Sequence, residues 1–395
     1  MDTTRDLPLA KRTALLQQSN IRAVTDQVAA VDGINLGQGV CDLPTPERIK
    51  QRTQQAVADD QSIYSHYAGI ETLRSGILRK MQSYNGLPAT SIDEVMVSVG
   101  ATGAFTTALM TLLDPGDEVI LFEPFYGYHR KLLQLVDASI RYVTTRGPDW
   151  AIDFDAVEAA ITPRTKAVVV NTPGNPSGKV WTRDELDTLV DLLHAHNLVA
   201  ITDEIYEYML YDGHEHVSLA ARPGAYERTV TISGFSKTYN MTGWRLGYAV
   251  APPPLIEKMG LVNDLMYICA PRPLQHGVTA AFDLEDDYLT QLQADYAARR
   301  ELMCTTLERI GFAVPWPEGA YYVLASFAPL TGARPGFEDD EAACQTLIEE
   351  AGIGTVTGRS FFRDPTDGQH RLRFCFAKEL PVLQDACDRL LDAFG

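Results

Sequence analysis

Six short runs, VMVSV (95–99), VILF (119–122), AVVV (167–170), VAIT (199–202), TVTI (229–232) and LGYAV (246–250), punctuate the chain between about Asp93 and Pro254. They are largely apolar throughout rather than on alternate positions, the pattern of strands covered on both faces. Between the third and fourth, Thr182 and Glu185 stand at capping-box spacing. Leu186, Leu189, Val190 and Leu193 follow at i, i+3, i+4 and i+7, which draws one apolar stripe along a helix. Such strands alternating with amphipathic helices predict an α/β fold around a mostly parallel sheet.

After roughly Asp283 the pattern changes. A long helical stretch, Tyr288 to Ile310, leads into an α+β tail with GAYYVLASF, a helix near Asp340 to Ala351, and RLRFCFA. The N-terminal 45 or so residues are too few for a domain of their own and are expected to pack with this tail. At 395 residues the chain is long enough for more than one folded unit.

Charge removes several function classes. With 34 Lys and Arg against 52 Asp and Glu, the net charge is −18, which repels nucleic acid and acidic membrane surfaces. The six cysteines lack metal-ligand or disulfide-framework spacing, and neither a signal-peptide pattern nor an apolar run approaching about 18 residues occurs. A soluble, cytoplasmic protein is expected.

Five pieces each fall just past an expected strand, where α/β sheets place their ligands. Gly100-Ala101-Thr102-Gly103 opens a helix, whose first N–H groups suit an anion. Glu123-Pro124-Phe125-Tyr126 offers an aromatic face. NTPGNPSGK (171–179) is a shaped, Pro- and Gly-rich loop in which Asn175 can donate a hydrogen bond. Asp203 ends a buried strand, where a carboxylate needs a cation, and Tyr206 follows it. In SGFSKTYNMTGWRLG (233–247), Lys237 lies eight residues before Arg245, a residue type suited to gripping phosphate. Each piece alone has a bland reading as a turn, an N-cap, core packing or a surface charge. Together they supply an amine for an aldehyde, a phosphate cup, a ring stacker, a partner for a ring nitrogen and one for a ring oxygen. Pyridoxal 5'-phosphate demands this set.

With INLGQG (34–39), YDGHEHVSL (211–219) and RFCFAKE (373–379) added, nearly the whole chain resembles the fold-type I pyridoxal-phosphate enzymes of the class I/II aminotransferases, nearest the kynurenine/glutamine/methionine aminotransferase-like group. The resemblance implies a large domain (48–285) with a mostly parallel seven-stranded sheet. A smaller α+β domain is then built from 1–47 and 286–395. It implies that Lys237 bonds to the cofactor and shuttles protons, that Asp203 faces the ring nitrogen, and that Asn175 and Tyr206 contact the ring hydroxyl. Tyr126 corresponds to the stacking ring, and Ala101, Thr102, Ser236 and Arg245 to the phosphate site. Tyr64 matches a tyrosine sent across a homodimer interface to the neighbouring phosphate. Arg373, with the Gly37 backbone and Asn175, matches the substrate carboxylate site. One departure is Gly234, where many relatives carry serine; the phosphate contact then falls to Ser236.

The activity so implied is ping-pong amino transfer from an aromatic, glutamine- or methionine-like L-amino acid to a 2-oxo acid. A β-elimination lyase acting on cysteine conjugates is the alternative, since it uses the same cofactor site. A DNA-binding regulator on this fold is disfavoured by the charge and by the chain's start close to the family's N-terminus. The pair His214 and His216 lacks a third ligand at a convincing spacing, so no metal is expected. Arg272, in CAPRPLQ, has two readings, an arginine facing the substrate side chain and a surface arginine, of which the second is favoured.

Overall fold

The structure is a computed structural model describing residues 10, 12–13, 21–284 and 287–395. Its strands are β1 (Ile34–Asn35), β2 (Val95–Val99), β3 (Glu118–Glu123), β4 (Ser139–Thr144), β5 (Thr165–Asn171), β6 (Val199–Asp203), β7 (Thr229–Gly234), β8 (Leu246–Val250), β9 (Tyr322–Ser326), β10 (Ile353–Gly354), β11 (Val356–Thr357) and β12 (Arg371–Cys375).

Seven strands form one sheet in the order β2-β8-β7-β6-β5-β3-β4. All six apolar runs are in it, each extended by no more than two residues at either end. The seventh, β4, escapes the apolar-run criterion because SIRYVT is an edge strand with several exposed positions and an arginine. Pairing is parallel from β4 through β3, β5 and β6 to β7, while β8 runs antiparallel to both β7 and β2. LGYAV is thus the exception to the parallel expectation. It arrives by a short connection past Lys237 instead of a helical crossover, so it must reverse direction.

That reversal matters for the site. Because β2 and β7 flank one antiparallel strand, the C-terminal ends of β2, β5, β6 and β7 lie along the same edge as the N-terminus of β8. The pairs Val99–Leu246, Gly234–Gly247, Ile232–Asp203 and Asp203–Asn171 are in register there.

The helix Arg183–Ala195 begins with the expected capping box, Thr182 accepting from the Glu185 N–H. It buries Leu186, Leu189, Val190 and Leu193 against Val168, Val170 and Ala200 of the sheet. The opposite face is covered through Phe105, Ala108 and Leu109 of the helix Gly100–Leu112.

The tail folds as the long helix Tyr288–Arg309, the helix Asp340–Ala351 and an antiparallel sheet β11-β12-β9. Phe312 meets Phe327, Phe337 and Phe374 edge-on in its core. The N-terminal segment does pack here: β1 pairs with β10, and Val24, Val28 and Leu36 join the same core. That core also takes in Ile205, Tyr206 and Tyr208, so the tail sits directly against the end of β6. The expected domain boundary at 285/286 lies outside the described residues.

Candidate active site

A cavity of about 220 Å³ opens at the sheet edge where these strand ends meet. Its wall includes Ala101, Thr102, Tyr126, Asn175, Asp203, Tyr206, Ser236, Lys237 and Arg245, nine of the sequence-predicted residues.

Lys237 stands past the end of β7 with its Nζ donating to the Gly39 carbonyl at 3.0 Å. Burial pulls its pKa below the ordinary lysine value, the positive charge of Arg373 adding to the effect against the opposing influence of Cys41, Cys375 and Asp203. The amine is therefore easier to deprotonate than a surface lysine.

Asp203 ends β6, and its Oδ2 lies 2.9 Å from His129 Nε2. His129 is buried on the first turn of the helix Gly127–Leu135, between Phe105 (centroids 4.5 Å apart) and Tyr126 (5.2 Å, edge-on). The second carboxylate oxygen accepts from the Ile205 N–H at 3.3 Å. Tyr206 lies 3.3 Å, oxygen to oxygen, from Tyr322. Burial holds its hydroxyl pKa well above that of free tyrosine, so it remains a neutral donor.

The NTPGNPSGK loop is buried, closed by Gly174 N–H to the Lys179 carbonyl at 2.8 Å and Trp181 N–H to Thr172 Oγ1 at 3.1 Å. It contains cis bonds before Pro173 and Pro176. Asn175 is held by its own N–H to Asn171 Oδ1 at 2.8 Å, and its Oδ1 accepts from Arg373 Nη1 at 2.9 Å. Arg373, on β12, also donates to the Gly37 carbonyl at 2.6 Å. Its guanidinium faces the rings of Tyr322 (4.4 Å) and Phe361 (5.1 Å), and its buried Nε has no partner. Arg373 and Gly37 therefore stand behind the cavity wall, joined to it by Asn175.

At the other end, the helix Gly100–Leu112 starts without a side-chain cap, leaving its first N–H groups at the cavity. Gly100 has φ +70°, and a Cβ there would come within 2.4 Å of Arg245 Nη2. The absent side chain lets the guanidinium lie over the helix start. Arg245 is itself left-handed at φ 57° and exposed, with Nη1 donating to the Thr242 carbonyl at 2.9 Å. Gly234 is explained by the sheet: a Cβ would approach Gly247 Cα and the Leu246 carbonyl at 3.0 Å.

These donors fit pyridoxal phosphate. An uncapped helix start and an arginine suit a dianion, a carboxylate suits a protonated ring nitrogen, and a depressed lysine suits an aldehyde.

Tyr64 is not brought to this cavity. It is 74% exposed, and its carbonyl accepts from Arg272 Nη1 at 3.4 Å. Arg272 is half-buried beside it, not a free surface arginine. The two histidines of the H-x-H pair go to different places. His214 is exposed, but His216 turns inward, its Nε2 2.8 Å from Glu204 Oε2, and the ligand atoms of Glu204, Glu207 and His216 lie within 4.8 Å of one another. The two glutamates come from the segment that follows β6, 12 and 9 residues before His216, and His214 takes no part.

The residues that sequence reasoning missed are His129, Asn171, Phe105, Tyr128 and Tyr322. His129 had a signal: it lies three residues past Tyr126 at the start of a helix. The others became visible through packing alone.

Residues 31–390 match the family model for aminotransferase class I and II. A probable N-succinyldiaminopimelate aminotransferase of Mycobacterium tuberculosis is 36% identical over 372 residues, 91% of this chain and 92% of that protein. Kynurenine–oxoglutarate transaminase 1 of Rattus norvegicus is 31% identical, over 91% of this chain and 92% of that protein. The solved structure of N-succinyldiaminopimelate aminotransferase from Mycobacterium tuberculosis superposes with a TM-score of 0.92 at 33% identity, covering 98% of this chain and 100% of that one. The strand order, the lysine beyond β7 and these matches agree, and the chain belongs to the class I and II aminotransferases, a family of pyridoxal-phosphate-dependent enzymes with the fold-type I architecture.

Proposed function

We propose that this aminotransferase moves the amino group of an L-amino acid with an aromatic, glutamine- or methionine-like side chain to a 2-oxo acid in a ping-pong cycle. The observation that carries the side-chain preference is the cavity wall. Phe105, Tyr128 and Leu132 line it beside the cofactor-facing Tyr126 and Tyr206, and its charged groups are Asp203, Lys237 and Arg245, all with duties toward the cofactor. Relatives named for kynurenine, aromatic amino acids and methionine accord with this.

When bound, pyridoxal phosphate supplies an aldehyde and a ring that withdraws electrons from the substrate Cα. Lys237 would hold it through a covalent link, and its amine, depressed by burial, is the group placed to take up and return a proton. Asp203, backed by His129, would pair with the protonated ring nitrogen. Tyr206 and Asn175 would donate to the ring oxygen, and Tyr126 would cover the ring face. Ala101, Thr102, Ser236 and Arg245 hold the phosphate. Arg373, already pre-set by Asn175 and flanked by two aromatic rings, takes the substrate carboxylate with the Gly37 backbone.

A homodimer completes this reading. Leu261, Leu265 and Ile268 form an exposed stripe at the end of the helix Pro253–Tyr267, and Ile63 and Tyr64 are exposed as well. Tyr67, three residues after Tyr64, accepts at its carbonyl from the buried Asn263 of that helix, which ties the two segments together. A second copy covering the stripe would carry Tyr64 toward the neighbouring phosphate site.

A panel of amino donors against 2-oxo acid acceptors tests the reading. Higher kcat/KM for aromatic, glutamine and methionine donors is expected, with parallel double-reciprocal lines. A preference for aspartate or for N-succinylated substrates overturns the side-chain assignment. Pyruvate and a sulfide formed from a cysteine conjugate without an acceptor would point to elimination.

A further inference from the structure

The segment Asp203-Glu204-Ile205-Tyr206-Glu207 sends Asp203 and Tyr206 to the cavity and its two glutamates away from it. Glu204 is 0% exposed. Its Oε1 accepts from Thr202 Oγ1 at 2.9 Å. Ser218 Oγ reaches both oxygens, at 2.9 and 2.8 Å. Oε2 also meets His216 Nε2 at 2.8 Å and Asn85 Nδ2 at 3.4 Å. Glu207 is nearly as buried, bonded to Lys80 Nζ at 2.5 Å, Asn85 Nδ2 at 2.8 Å and Ser233 Oγ at 2.8 Å.

Convergence of two carboxylates and an imidazole is also how a cation site is built. Here the Lys80 ammonium and the Asn85 amide already occupy the space between the acids. Burial lowers the lysine pKa, and its attraction to Glu207 opposes that shift. The cluster is a buried polar network in which all four carboxylate oxygens of Glu204 and Glu207 are bonded, while Asn85 Oδ1 and His216 Nδ1 have no partner.

We propose that Glu204 is a positioning residue for the reaction, its anchored carboxylate setting from behind the stations of Asp203 and Tyr206. The inference rests on the function proposed above. Adjacent side chains leave an extended chain on opposite sides, so clamping Glu204 restrains the rotation of the backbone that aims Asp203. The Glu204 N–H bonds the Ile232 carbonyl at 2.8 Å and its carbonyl accepts from the Glu207 N–H at 3.0 Å. The turn carrying Tyr206 is therefore spanned by two buried acids, both tied to Asn85. With every carboxylate oxygen of the two acids bonded, both side chains are held in place and the turn between them is restrained.

The test uses apoprotein reconstituted with pyridoxal phosphate. Three quantities are read: apoprotein melting temperature, cofactor Kd, and the pH midpoint of the visible absorbance of the Lys237-linked cofactor. Glu204→Gln keeps the shape and removes the charge. The expected result is a cofactor Kd raised about tenfold and an absorbance midpoint raised by roughly half a pH unit or more, because a loosened Tyr206 donates less well to the ring oxygen. Unchanged Kd and midpoint overturn the proposal, including when the apoprotein melts lower, since a purely structural role would move only that. Should Glu204→Gln fail to fold, Ser218→Ala decides. It removes one hydroxyl from both carboxylate oxygens, and a smaller shift in the same direction supports the proposal while wild-type values overturn it. Wild-type protein that binds no pyridoxal phosphate overturns the proposed function together with this inference.

Discussion

His129 Nε2 lies 2.9 Å from Asp203 Oδ2, with both side chains almost wholly removed from solvent. The pair joins a helix start to a strand end, and it gives the carboxylate a fixed direction before any cofactor arrives. His129→Leu removes that partner and leaves a buried carboxylate oxygen facing apolar surface, at a cost of about 1–3 kcal/mol. The apoprotein should melt lower and bind pyridoxal phosphate about tenfold more weakly, while His129→Gln recovers part of both. Fluorescence titration of the apoprotein measures the affinity.

Lys237 carries a sign that can be checked without substrate. Its folded pKa is depressed below 10.5, chiefly by burial. Above pH 10.5 the amine is neutral folded or unfolded and has no effect on stability. As pH falls below that value, the unfolded chain takes up a proton that the folded chain resists, so the penalty on folding grows until the folded amine protonates too and stays at its full value below that. Lys237→Met apoprotein should therefore melt higher than wild type at pH 7, and the gap should close as pH rises toward 10.5. The same variant should show no turnover, and near-normal activity would remove Lys237 from the chemistry.

Arg373 is pre-set by Asn175 and Gly37. Arg373→Lys keeps the charge but loses the planar fork, so kcat/KM for the amino donor and for the 2-oxo acid should both fall by about 10²-fold. Cofactor affinity should stay within about twofold. Steady-state kinetics with both substrates, beside cofactor titration, separates the two effects.

Gly100→Ala places a methyl group against Arg245 at a backbone angle of +70°. The left-handed conformation costs about 1–2 kcal/mol for a residue with a Cβ, and the guanidinium must move off the helix start. Affinity for pyridoxal phosphate should fall more than affinity for unphosphorylated pyridoxal, which calorimetry on the apoprotein can compare.

The sheet and most of the cavity wall were legible in the sequence because both follow short-range rules. Runs such as AVVV and TVTI can be buried on both faces in few ways, and ligand residues follow strand ends. The edge strand β4 was hidden because its exposed positions carry polar residues. The orientation of β8 was hidden because direction depends on the connection rather than on composition.

What the sequence by itself determined was the α/β alternation, the helix capped at Thr182, and the set of residues from Ala101 to Arg245 that meet at one edge of the sheet. Tertiary structure alone decided that His129 backs Asp203, that Arg373 reaches the site through Asn175, and that Glu204, Glu207 and His216 share a buried network. Those pairs are 74, 198 and up to 12 residues apart. Their meeting depends on how strands cross and helices pack, and a local pattern of residue types carries no record of that geometry.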